Sequence, residues 1–264
     1  MNRTMIFAIV ILISGFTNPT ADVQAQTIDG AAYYSPITDN VQPLIYGNVF
    51  SKSYLEKRGA KKSATRGRAE YYPRDEVAHA NDSSGDIASS SADFHVRFDP
   101  RISREVKDDY MDSIARANGA KAAQGLGSYY DRSNVHDLFQ TAVAPYGLRG
   151  DDLADVTTAY VVVMWMTANQ TGLPSAREVQ GVREQMREVM FDGHSIPQHA
   201  DERQRAAESL IYQTVTLIKV REEAQAQRND RFLAHLADSA QASMARRQFD
   251  LRRLALTEAG MVQR

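Results

Sequence analysis

The chain has 264 residues, 43% of them hydrophobic and 24% charged, the balance of an ordinary globular protein. Its formal net charge of −2 gives no global attraction to nucleic acid. It contains no cysteine, which excludes disulfides, thiolate metal sites and cysteine nucleophiles.

The first residues read as an address. Arg3 supplies a short positive region, Met5 to Ile13 is an unbroken apolar run, and Val23-Gln24-Ala25 fits a small-residue cleavage site. Nine helical residues span roughly 14 Å, about half of a hydrocarbon core near 30 Å thick. The run therefore predicts a secretory signal peptide over 1–25, cut after Ala25, rather than a membrane anchor. No later run reaches transmembrane length, so the mature chain is expected in the periplasm or outside the cell.

Residues 26–98 read as a largely disordered tether. Lys52 to Arg74 holds eight basic residues against Glu56 and Glu70, and Asn81 to Ser91 is polar and rich in serine. Such composition buries too little apolar surface to offset the entropy of ordering. The basic run, with Lys57, Arg58, Lys61, Lys62, Arg66 and Arg68 at its centre, reads first as a solvated linker. Its functional reading is contact with an anionic envelope surface.

From Asp99 the pattern becomes helical, and 99–264 reads as one domain. Asp99-Pro100 is a helix start, with Pro in the first turn. Ile102, Val106, Tyr110 and Ile114 recur at helical spacing, and Gly119 is the stop. Ala120 to Arg132, with Gly125 and Gly127, reads as a connection. Ser133 or Asn134 caps the next helix, which Pro145 and Gly147 end. A helix over about 152–171 follows; it is apolar on every side around Tyr160 to Met166 and should be surrounded by others. Gly172 is expected to terminate it, with Pro174 behind. Ser175 and Glu178 form a capping box for the next helix, which Gly193 ends. A further helix starts between Pro197 and Asp201. The remainder, including Leu251 and Leu254, reads as a last helix or two. The fold class is thus all-α, an irregular bundle of about six helices.

Chemistry is sparse. His194 and His199 lie five apart in a loop near Asp201, not at the spacing of a helical metal pair, so no metal and no cofactor is expected. Gly-x-Ser-x-Gly is absent, and Gly125-Leu126-Gly127 lacks the lysine of a phosphate loop. Glu105, Asp108, Asp109, Glu184 and Glu188 offer carboxylates but read as solvated helix faces. Met164, Met166, Met186 and Met190 read as core filling. Tyr160 and Trp165 are the candidate ligand-binding pair, because each joins an apolar ring to a polar handle.

From Leu153 through the helix that Ser175 opens, the layout resembles an uncharacterised family of secreted bacterial helical proteins. The residues that carry the resemblance are Trp165, Gly172, Pro174, Val182, Arg183 and Gln185, within a match over about 132–256. It implies export and a helical domain, and it brings no catalytic residues. The leading expectation is an exported, non-enzymatic helical binding or interaction protein of the cell envelope. The alternatives are a carboxylate-dependent hydrolase of an envelope polymer such as peptidoglycan, or a secreted effector.

Overall fold

The computed structural model describes residues 94–192, 196–247 and 249–264. The expected signal peptide and residues 26–93 of the expected tether, with its basic run, lie outside the described residues, as does Gly193. The ordered core begins ahead of Asp99: Phe94 and Val96 are both buried in it. Their strap is fastened by backbone bonds from Leu153 N to Phe94 O and from Val96 N to Asp151 O, each 2.9 Å.

Helix α1 runs Pro100–Asn118, with the Asp99 carboxylate accepting from Arg101 N. It ends at Gly119, whose φ of +85° suits a residue without a Cβ. Helix α2, Ala120–Arg132, occupies the stretch expected to be a connection. The glycines misdirect there. A Cβ at Gly125 would meet nothing, so that glycine serves no turn or close approach. Ala123 and Tyr130 are buried, Leu126 packs against the same core, and their spacing is helical.

Asn134 caps α3, Val135–Val143, which passes through a 3-10 turn at Ala144–Tyr146 to a left-handed Gly147. Helix α4, Leu153–Ala168, is capped by Asp152, and every residue in it except Val163 is buried. It stops earlier than expected. Gln170, at φ +51°, takes the left-handed position that the sequence suggested for Gly172.

The capping box opens α5, Ala176–Asp192, as expected: Ser175 N donates to Glu178 at 2.7 Å and Glu178 N to Ser175 Oγ at 3.2 Å. Helix α6 is Ala200–Ala226 and α7 is Asp230–Ala245, the latter capped by Asn229. Helix α4 packs against α5, α6 and α7, while α1 and α3 lie on α6. All four methionines of the α4–α5 stripe are core residues.

The C-terminus corrects a further expectation. After a 3-10 turn at Leu251–Arg253, the chain forms strands β1, Leu254–Thr257, and β2, Gly260–Gln263. They pair antiparallel, Leu254 opposite Gln263 and Thr257 opposite Gly260. Leu254, Leu256 and Met261 are buried against α5. The period there is two, over runs too short to outweigh the helical pattern before them. Among the described residues, seven α-helices and this small hairpin make the fold all-α. Among the described residues no helix is long and apolar enough to cross a membrane.

Candidate functional site

Tyr160 and Trp165 both face the interior, at 1% and 9% exposure. The Trp165 indole N–H donates to Leu254 O at 2.9 Å, so its polar handle holds strand β1. Lys57, Arg58, Lys61, Lys62, Arg66 and Arg68 lie outside the described residues, and so does His194. His199 sits at the N-terminus of α6. Among the described residues, no three His, Asp or Glu side chains are placed to hold a metal.

The buried acids of α4 face arginines of α5. Asp155 is fully buried, and Arg183 grips it with both arms: Nε to Oδ1 at 2.6 Å and Nη2 to Oδ2 at 2.9 Å. Arg149 N adds a bond to Oδ2 at 3.1 Å. Arg187 bonds Asp152, lies 3.5 Å from Asp155 Oδ1, and sets its guanidinium over the Phe94 ring at 5.0 Å. Burial first, and the Asp155 charge second, push the Asp152 carboxyl above the usual range, with Arg187 opposing. These groups staple α4, α5 and the strap together.

Next along α5, Gln185 is fully buried and clamps the backbone of Met261. It accepts from Met261 N at 2.7 Å and donates to Met261 O at 3.2 Å. One turn earlier, Gly181 lets the hairpin approach closely: a Cβ there would sit 2.3 Å from Glu258 O.

On the other side of the core, α6 carries a second polar cluster. Glu208 is fully buried; its Oε1 accepts from Ser103 Oγ at 2.5 Å and Gln204 Nε2 at 2.9 Å, with His136 Nε2 at 3.9 Å. Its Oε2 is buried without a hydrogen-bond partner. The serine hydroxyl is directed to the carboxylate rather than to the histidine, which is not the order of a nucleophilic triad. Close by, Thr216 Oγ1 joins the hydroxyls of Tyr110 at 2.9 Å and Tyr130 at 2.7 Å. Burial drives the Tyr130 hydroxyl well above its ordinary value, so it remains a neutral hydrogen-bonding group.

A small space lies elsewhere, where the end of α4 meets α6 and α7. It measures about 120 Å³ and is lined by Thr167, Gln170, Arg221, Gln225, Leu233 and Leu236. One water needs roughly 10–15 Å³ by such a measure, so the space exceeds a single solvent site. Gln170 enters it from the left-handed turn, and Arg221 also braces that turn through Thr171 O. Leu233 and Leu236 of α7 provide the apolar part of the lining. Sequence reasoning missed this site because none of its six residues forms a motif; they converge only when α4 stops at Ala168.

No curated protein and no solved structure matches this chain. A family model does match, over residues 1–264. The chain belongs to that family, DUF6683, a family of unknown function.

Proposed function

We propose that this protein is an exported, non-enzymatic binding protein of the bacterial cell envelope whose helical domain holds a small amphipathic ligand. The observation that carries the reading is the composition of the α4–α6–α7 cavity. One guanidinium, two carboxamides and a hydroxyl surround a space whose other residues are two leucines. That set suits a molecule with an oxygen acceptor at one end and a short aliphatic portion at the other. The signal-peptide pattern over 1–25 supports export, and the basic run supports a tether that samples an anionic surface.

Titration of the mature, isotope-labelled chain with short-chain carboxylates and amides tests the reading. Saturable shifts in the side-chain amides of Gln170 and Gln225, weakened by Gln225→Ala, are expected. Shifts absent from both amides with every compound would sink it. Export is checked separately by sequencing the N-terminus of the protein recovered outside the cytoplasm, where Gln26 is the expected first residue.

A further inference from the structure

We propose that His136 and Glu208 form a proton-operated clasp that fastens the 94–99 strap, and with it the junction to the N-terminal 93 residues, to helix α6. The clasp is a continuous set of contacts. Gln204 of α6 holds the Asp99 backbone from both sides, accepting from Asp99 N and donating to Asp99 O, each at 2.9 Å. The same Gln204 amide donates to Glu208. Ser103, in the first turn of α1, donates to Glu208 as well. His136 closes the set: Nε2 lies 3.9 Å from Glu208 Oε1, and its ring meets Phe98 of the strap edge-on at 4.4 Å.

Of the His136–Glu208 pair, only the histidine reaches water. The Glu208 side chain is 0% exposed and the His136 side chain 30%. His136 is therefore the point at which a proton can enter the pair.

Two opposing influences decide what that proton does. Glu208 from α6 and Asp137 from α3 itself both favour an imidazolium. Phe98 of the strap and Ser103 of α1 add no charge. Against them stand burial and position. His136 is the second residue of α3, where Asn134 Oδ1 accepts from its backbone N–H and the helix presents its positive end. Burial is the larger effect and holds the imidazole below its ordinary pKa of 6.5. The folded domain thus takes up this proton less readily than the unfolded chain.

The contribution of neutral His136 is complete above about pH 6.5, where the unfolded histidine is also neutral, and is lost as the pH falls from there through the lowered folded value. Relief comes when the imidazolium swings into water. That movement takes the edge-on contact away from Phe98 and opens Glu208, with its unpartnered Oε2, to solvent. Acid accordingly loosens the strap.

Hydrogen exchange on the full chain tests the clasp, with rates at pH 7.0 and 5.5 corrected for intrinsic chemistry. In the wild type, protection of peptides covering 94–103 and 134–140 should fall several-fold at pH 5.5, while α4 stays protected. His136→Gln should remove that loss, and Glu208→Gln, which deletes the charge favouring the imidazolium, should deepen it. An equal loss in His136→Gln would assign the effect to another group and overturn the proposal. So would unchanged or increased protection of the wild-type strap on acidification. A titration of the His136 ring protons by NMR gives a check that needs no variant: a midpoint above 6.5 overturns the clasp.

Discussion

Gln185 of α5 and Met261 of β2 form a closed pair of hydrogen bonds in which a side-chain amide stands in for a neighbouring strand. Hairpin geometry explains why it is needed. Arg264 N bonds Arg253 O, so the bonded pairs alternate along the ladder, and the polar groups of Leu254 and Met261 point away from the partner strand. Those outward groups are buried and need partners. Trp165 serves Leu254, and Gln185 serves Met261.

Gln185→Leu therefore should leave two buried backbone groups of Met261 unpaired. At about 1–3 kcal/mol for each unsatisfied group, a total loss of about 2–4 kcal/mol is expected in urea melts. Exchange of the Met261 amide should rise by more than global unfolding explains. A loss below about 1 kcal/mol would mean that solvent reaches the pair.

Asp155→Ala and Asp152→Asn should separate clearly. The first leaves Arg183 facing an empty, buried acceptor site and should cost about 3 kcal/mol or more, as broken buried pairs do. The second keeps a side chain able to cap α4 and removes a carboxylate that burial disfavours. It should cost about 1 kcal/mol or less. The raised Asp152 pKa also fixes a sign: in the window from the unfolded value near 3.8 to the folded one, its ionisation lowers stability as pH rises. Asp152→Asn should flatten that part of the pH–stability curve, and an unchanged curve would exclude Asp152 as its source.

Two glycines on helices should respond in opposite directions. Gly125→Ala adds a methyl to open space in a helix interior and should stabilise by about 0.5–1 kcal/mol. Gly181→Ala forces its Cβ into the Glu258 backbone and should cost about 1–3 kcal/mol by overpacking. Thermal melts of the two variants check both. If Gly181→Ala were neutral, the hairpin would have to sit further from α5 than it does.

Much of the helical framework was legible because punctuation and periodicity agreed. Asp99-Pro100, Asn134, Asp152 and the Ser175–Glu178 box each mark a helix start seen in the structure. Helix α2 was hidden by Gly125, whose cost to a helix is outweighed by packing of Tyr130 and its neighbours. The hairpin was hidden because four-residue strands carry little periodic signal, and their partners, Trp165 and Gln185, lie far away in the chain. The residues noted for family resemblance now have physical roles. Val182 is fully buried, Arg183 holds Asp155, and Gln185 holds Met261. The cavity was least legible, since its lining depends on a left-handed residue that is not glycine.

That residue allows a last prediction in which stability and binding part company. Gln170 holds φ at +51°, a region that costs an L-residue about 1 kcal/mol or more and glycine almost nothing. Gln170→Gly removes the strain, though it also frees the unfolded chain, so the expected net gain is small, about 0.5 kcal/mol. Were Gln170 only a turn residue, that gain would come without loss elsewhere. As part of the cavity lining, its carboxamide should be missed: Gln170→Gly is expected to be as stable as the wild type or more so, yet to lose most of the ligand-induced shift at Gln225. Equal binding by the two proteins would return Gln170 to the role of a strained helix stop.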